Sequence, residues 1–411
     1  MKNAPIVVVG ASLAGLRAVE GFRKGGYTGP LTLVGAEEHL PYDRPPLSKA
    51  FLDAGHDQPT ETTFRAEDEI RELDVDLRLG QPATRLDTEA CEIVVGEEHL
   101  PYRSLVISTG SHARKLPGEA LPGVHTLRTV DDARQIREAL AAGARTVVVG
   151  GGFIGSEIAS AARKRDVDVT IVEAAETPLV HAVGTEMAEV CARLHSRNDT
   201  RLLCGVGVSS IEGDGRVERV VLSDKTSLEA DLVVVGIGAE PATGWLKDSG
   251  LTLDDGIVCD EALRTSAPNI YAAGDVARWY NPLFERHMRL EHWTSAAEQG
   301  TVAARNALEP DSARPFETVP YFWSDWYSEK LQMVGIGDAD EVRLLGDPHA
   351  DSWIALYRLN DRLVGALSLN RPGKIMKYRA LISKRTTWDE ALEFAESGSG
   401  KGLSSGSTTH S

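Results

Sequence analysis

The chain has 411 residues, enough for two or three domains with separate cores. Asp and Glu number 61 against 44 Lys and Arg, a formal charge of −17, which argues against the basic footprint of a nucleic-acid binder or a polybasic hold on anionic lipid. No apolar run approaches membrane-spanning length, and Cys91, Cys191, Cys204 and Cys259 never stand at CxxC spacing, so neither a structural zinc nor a local redox disulfide is indicated.

The N-terminus enters an apolar β-branched run at 6–9 with no signal-peptide layout, and a cytoplasmic protein is expected. That run leads into Gly10-Ala11-Ser12-Leu13-Ala14-Gly15 and a helix-like segment, the strand–turn–helix setting of a dinucleotide-binding turn. Glycines serve there because a phosphate reaches helix amides only where no Cβ intrudes. Ser12 replaces the middle glycine but is small. Two acids, Glu37 and Glu38, follow the next strand after Ala36; the ribose contact is expected at Glu37, with a solvated loop carboxylate as the alternative.

Leu40-Pro41-Tyr42-Asp43-Arg44-Pro45-Pro46-Leu47-Ser48-Lys49 reads as a rigid loop before a helix that begins near Ser48. A further apolar run over 104–109 ends in Thr109-Gly110. The second glycine turn, Gly150-Gly151-Gly152-Phe153-Ile154-Gly155, comes about 140 residues after the first and satisfies the whole pattern. Its βαβ unit closes at 169–172, and Glu173 then stands where an acid binds the ribose 2′-OH. A carboxylate there repels the 2′-phosphate of NADP, so NAD is favoured. Two such turns suggest two dinucleotides held face to face, and the usual reason is hydride transfer.

Residues 232–235 form another strand before Gly236-Ile237-Gly238. Asn269-Ile270-Tyr271-Ala272-Ala273-Gly274-Asp275 reads as a strand returning to the first sheet, which makes the second unit an insertion. From 318 the texture changes: aromatics gather at 321–327, and the segments 353–357 and 363–369 alternate like antiparallel strands. The expected division is α/β throughout the first two units: residues 1–110 with 233–317, then an inserted 111–232. A small C-terminal α+β domain follows at 318–396, and a Gly, Ser and Thr rich stretch at 397–411 is expected to be a disordered tail.

These motifs together resemble the FAD-dependent, NADH-utilising ferredoxin reductases that serve oxygenases. The resemblance runs from residue 1 to about 395 and rests on Pro45-Pro46-Leu47-Ser48-Lys49, the second glycine turn with Ser156-Glu157, Ala272-Ala273-Gly274-Asp275, Glu291-His292-Trp293 and Phe322-Trp323-Ser324-Asp325. It implies a glutathione-reductase-like fold, two doubly wound dinucleotide-binding domains with FAD on the first and NADH on the second.

It also implies residue roles. Lys49 would lie beside the flavin and pair with Glu157, where spacing alone would leave two separate surface charges. A cation near the ring stabilises reduced flavin, and a buried ammonium needs a carboxylate. Arg44, Thr109, Gly110 and Arg128 would meet FAD, as would the backbone at Ala14 and Ala83, with Asp275 after Gly274 on the ribityl chain. Trp293 and Trp323 would lie against the isoalloxazine, or be interdomain core. Ile154 and Gly238 join Gly150, Gly152, Gly155 and Glu173 in the nicotinamide set. The chain departs from the family at Ala36, His112 and Trp326, the last expected to alter the flavin edge or the docking surface.

No cysteine stands near 42–49, where disulfide reductases of this fold carry their redox pair, so electrons must leave the flavin for an external acceptor. The resemblance makes that acceptor a [2Fe-2S] ferredoxin feeding a dioxygenase or a haem-thiolate monooxygenase. Such ferredoxins are acidic, and residues 371–385 hold Arg371, Lys374, Lys377, Arg379, Lys384 and Arg385 with no acid among them. As a helix this segment turns Ile375, Tyr378 and Ile382 to a core and leaves Lys377 and Lys384 for docking. Arg286 and Arg289 are weaker docking candidates. A rubredoxin reductase, and a flavin-bearing signalling protein of the apoptosis-inducing type, are the alternative readings.

Overall fold

The computed structural model describes residues 5–53, 62–116 and 121–399. Two five-stranded parallel sheets form its frame. In the first, Ile6–Val9 lies between Leu31–Val34 and Ser104–Ile107, with Asp76–Arg78 and Ile270–Ala272 at the edges. In the second, Thr146–Val149 lies between Val169–Val172 and Leu232–Val235, with Arg201–Leu203 and Val124–Thr126 outside. The central strands are buried along their whole length, as continuous β-branched runs covered by helices on both faces should be.

The chain leaves the first sheet after Ile107 and rejoins it at Ile270, beside Leu105. The outgoing and returning segments run together as an antiparallel ribbon, Ser111–Ala113 against Ala239–Pro241. One expected boundary needs correction. A division at 232/233 cuts Leu232–Val235, which pairs residue for residue with Thr146–Val149, so the second sheet continues through Val235.

The C-terminal unit is a five-stranded antiparallel sheet. Its order is Tyr321–Trp326, Glu329–Gly335, Arg362–Leu369, Trp353–Leu359, Glu341–Leu345. Pro372–Ser383 and Trp388–Ser399 are helices, the first burying Ile375, Tyr378 and Ile382 while Lys377 and Lys384 stay exposed. The second helix runs past Ser397 because Trp388, Ala391 and Ala395 bury one stripe, so the expected tail starts too early by at least three residues; residues 400–411 lie outside the described ones. Among the described residues no helix is long and apolar enough to cross a membrane.

Close backbone contact fixes how these units meet. The Trp293–Leu308 helix lies against Leu13–Lys24 so tightly that a Cβ on Gly300 would sit 2.2 Å from the Ala14 carbonyl oxygen. The third sheet docks on the second unit through a buried polar cluster. The Tyr327 hydroxyl bridges His195 Nδ1, 2.7 Å away, and Thr200 Oγ1, 2.9 Å away. Its Nε2 lies 3.3 Å from Ser156 Oγ, and Trp326 stacks on its ring at 5.0 Å.

Burial pushes His195 down to about 4 from an ordinary value near 6.5. Between those limits the unfolded chain takes the proton first, so stability rises with pH and the contribution is complete only above about 6.5. The melting temperature should therefore fall as pH drops from 6.5 toward 4, with His195 alone contributing up to about 3 kcal/mol. His195→Gln should be less stable at neutral pH yet show a shallower decline in this window by thermal unfolding. An unchanged slope would remove His195 as a cause.

Candidate functional site

Both glycine turns are built by steric exclusion. Gly10 has φ +115°, and a Cβ there would lie 2.1 Å from the Ser108 carbonyl oxygen; one on Gly15 would lie 1.9 Å from that of Gly10. Gly150 and Gly155 repeat the arrangement, at 2.4 Å from Gly236 O and 2.1 Å from Gly150 O. These four glycines let each helix pack on its strand. Gly152 differs, because a Cβ on it would meet no protein atom within 4 Å. Its open side faces a cavity, at a helix N-terminus whose first amides receive no side-chain cap. Ser12 occupies the matching place in the first turn, again uncapped, and lines the same cavity. Helix N-termini with open approaches suit pyrophosphate, so this chain's residues fit two dinucleotides.

The cavity has a volume of about 490 Å³ and runs between all three units. Ser12, Ala14, Arg44, Lys49, Gly110, Arg128, Gly238, Gly274 and Asp275 line it, joined by Gly152, Ile154, Glu157, Trp293 and Trp323. Other expected residues lie off the wall. Thr109 donates to the Ala242 carbonyl, and Ala83 pairs with Val95 in a separate three-stranded sheet. Glu173 accepts the amides of Gly151 (2.8 Å) and Ala175 (2.9 Å), which ties the end of its strand to the turn.

Glu37 also lies behind the wall. It accepts the Tyr42 hydroxyl and the Arg44 guanidinium, both at 2.5 Å. Burial works to raise this carboxyl, but Arg44 and Tyr42 outweigh it and hold Glu37 below the usual range. Arg44 also donates to the Arg128 carbonyl at 2.6 Å and to Ser12 Oγ at 3.3 Å, so it braces the first turn from the side. Arg128 in turn donates to Asp275 Oδ2 at 2.9 Å, where Ser111 Oγ also donates.

At the far end lies a knot of donors around one carboxylate. Lys49 Nζ is 2.8 Å from Glu157 Oε2, which also accepts the Ser48 hydroxyl. Glu157 Oε1 accepts the Ser324 hydroxyl and, at 3.3 Å, the Asp325 amide. Glu157 is only 2 % exposed. The proline-rich loop, the Phe153–Arg163 helix and the third sheet thus converge on one side chain.

Aromatic and apolar groups close the wall. Trp293 donates its indole N–H to Asp43 at 2.7 Å and meets Trp323 edge-on at 6.5 Å. Phe153 packs on Phe322 at 4.6 Å, and half-exposed Ile154 faces the opening. His292 lies beside Phe322; burial, partly offset by Asp275, pushes it down to about 4, so its imidazole is uncharged at neutral pH. None of the four free cysteines lines the cavity.

Two departures resolve plainly. Ala36 and His112 have exposed positions, His112 on the ribbon opposite Glu240. Trp326 is fully buried against His195 and Phe153 and is not on the cavity wall, so the expectation that it alters a docking surface is wrong and any effect on a flavin edge is indirect. Sequence reading passed over Phe153, Phe322, His292 and the two serines on Glu157 as site residues, although all five stand inside the motifs quoted for the resemblance.

The family model for pyridine nucleotide-disulphide oxidoreductases matches residues 4–300, and that for the reductase C-terminal domain matches 321–397. Rhodocoxin reductase of Rhodococcus erythropolis is 36 % identical over 383 residues, 92 % of this chain and 89 % of that protein. The ferredoxin–NAD(+) reductase component of the anthranilate 1,2-dioxygenase system of Burkholderia cepacia is 36 % identical over 390 residues, covering 93 % and 95 %. Among solved structures, the covalent putidaredoxin reductase–putidaredoxin complex aligns with TM-score 0.88 at 32 % identity, over 93 % of this chain and 94 % of that one.

The two kinds of glycine should separate in experiment. Gly155→Ala brings a methyl against Gly150 O and lowers the melting temperature without ligand. Gly152→Ala leaves it unchanged but weakens NADH binding about tenfold, near 1.4 kcal/mol, because the methyl fills the phosphate approach. Wild-type NADH affinity in Gly152→Ala would show that this face is not the pyrophosphate site.

Proposed function

The chain belongs to the pyridine nucleotide-disulphide oxidoreductase family, and from that premise we propose how it works as an FAD-containing oxidoreductase. It takes a hydride from NADH and passes single electrons to a [2Fe-2S] ferredoxin that feeds an oxygenase. One observation carries this reading: two dinucleotide turns open on a single cavity whose wall holds a lysine–glutamate pair and no thiol. FAD supplies the chemistry when bound, accepting two electrons as hydride and releasing them one at a time.

The residues bind, orient and exclude. Ser12, Ala14, Arg44 and Arg128 would hold the FAD phosphates and Asp275 its ribityl hydroxyls, while the Gly152 end takes the NADH pyrophosphate and Glu173 the neighbouring ribose. Lys49 brings a positive charge to the reacting end, and Glu157 compensates it so that the ammonium stays in a buried place. Trp293, Trp323, Phe153 and Phe322 shed water from the seam, which favours a close nicotinamide approach. No side chain need act as a general acid or base for hydride transfer. The cytoplasm, where NADH is supplied, is the compartment this activity requires.

For the acidic partner we assign the Pro372–Ser383 helix. Arg379 pairs with Glu298 and Arg385 with Glu317, whereas Arg371, Lys374, Lys377 and Lys384 have no ion-pair partner among the described residues. Exposed Met376 stands among them, an apolar contact ringed by cations. Arg286 and Arg289 are committed to Asp338, Asp255 and Glu291 and offer less.

Lys377→Glu with Lys384→Glu should raise the KM for ferredoxin about tenfold at low salt, with the difference shrinking as salt is added. NADH-driven ferricyanide reduction should stay intact. Unchanged ferredoxin kinetics would remove the docking assignment, and a purified protein that is colourless and takes up no flavin would remove the function.

A further inference from the structure

Trp326 touches neither the cavity nor the surface, yet its indole N–H points to the hydroxyl of Ser324, 2.9 Å away. An indole nitrogen can only donate, so Ser324 Oγ must accept there. The hydroxyl owns a single proton, and Glu157 Oε1 lies next to it as an acceptor. The indole therefore fixes the serine rotor, and the rotor delivers its proton to the carboxylate. From this geometry we propose that Trp326 is a positioning residue for the Lys49–Glu157 pair, acting through Ser324.

Each member of the chain is held in turn. Trp326 is 0 % exposed and stacks on His195, interplanar angle 26°, with Phe153 6.3 Å away. His195 is itself gripped by Tyr327 and Ser156, the residue next to Glu157. At the other end, among the described residues, Lys49 has one carboxylate partner, Glu157, and otherwise reaches only the Pro45 carbonyl at 3.4 Å. The place of the ammonium at the cavity wall thus depends on how firmly Glu157 is held. Ser324 and the Asp325 amide hold Oε1; Ser48 and Lys49 itself hold Oε2. Without the indole N–H the serine hydroxyl loses its directing donor, the carboxylate turns more freely, and the ammonium spreads over a wider range. The inference rests on the proposed function, since it assumes that the reacting end of FAD and NADH lies beside Lys49.

The test uses the flavin-loaded enzyme and three variants, Trp326→Phe, Trp326→Gln and Ser324→Ala, with the Trp326→Phe, Ser324→Ala double variant. Phenylalanine keeps a ring on His195 but has no N–H; glutamine keeps an amide N–H at similar reach but loses the stack. The readouts are the flavin midpoint potential, the rate of flavin reduction at saturating NADH, the Kd for NADH and the melting temperature. Trp326→Phe should melt near the wild type, yet its potential should become more negative and its reduction about fivefold slower, with Kd unchanged. Trp326→Gln should melt lower but recover much of the potential and rate. Ser324→Ala should match the phenylalanine variant, and the double variant should lose nothing more. Wild-type potential and rate in Trp326→Phe, multiplying losses in the double variant, or a rate that follows melting temperature across the series would each overturn the proposal. A wild-type enzyme that binds flavin without being reduced by NADH would overturn the function beneath it as well.

Discussion

One buried carboxylate holds this molecule's working parts in register. Glu157 cannot sit at 2 % exposure as an anion unless donors surround it, and those donors come from the proline-rich loop and from the third sheet. Removing one partner from such a buried pair costs about 3–5 kcal/mol in comparable settings, because the remaining charge stays uncompensated. That penalty is paired with a geometric one. The loop after Pro45 and the helix after Gly152 are brought to a common point, so the two dinucleotide units must face each other across it. Hydride transfer needs that approach; one polar knot closes the interface and, on the proposed function, marks its chemical end.

The duplicated units then divide the work by differences within a shared design. Each packs its helix on its strand through a first and last glycine that exclude any side chain. They diverge at the middle position, where Gly152 is open and Ser12 carries a hydroxyl braced by Arg44. Around the first turn stands a permanent polar lattice, Glu37, Tyr42, Arg44 and Asp275 from the first unit with Arg128 from the second, most of it already satisfied within the protein. Among the described residues the second turn is tied more sparsely, by Glu173 on the Gly151 amide and Ser156 on the Gly152 carbonyl. A prosthetic group on the first side and an exchangeable substrate on the second agree with that asymmetry.

Features of local origin were legible in the sequence. Continuous β-branched runs give buried parallel strands, and the glycine spacing follows from sterics within a few residues, so both sheets and both turns could be read directly. The return to the first sheet at 270–272 was legible for the same reason. The knot was only half legible: Lys49 and Glu157 stand 108 positions apart, and a shared motif, rather than any pattern in the residues, paired them. Ser324 and Trp326 were harder still. The segment Phe322-Trp323-Ser324-Asp325-Trp326 has no polarity contrast from which to choose a face, so only pairing with Glu329–Gly335 shows that Phe322, Ser324 and Trp326 turn inward together. Glu37 stood near an expected ribose, but its oxygens were already claimed by Tyr42 and Arg44, neighbours that look like loop residues in one dimension.

The third sheet shows how a partner surface can sit beside this machinery without disturbing it. Along its strands alternate residues point to opposite faces. Leu331, Met333, Leu367 and Leu369 join the core shared with the second unit, while Val334, Ile354, Leu356 and Ala366 join the core beneath the two C-terminal helices. The inward face carries Ser324 and Trp326 and is constrained by charge and stacking. The outward face needs only an apolar underside for its helices, whose solvent side is free to carry any charge. Four cations there without ion-pair partners among the described residues, on a chain of net charge −17, make a local positive field against a negative background. Such a contrast orients an acidic partner toward one face and repels it from the rest, so selectivity for the electron acceptor can change by surface substitution while the buried knot stays as it is.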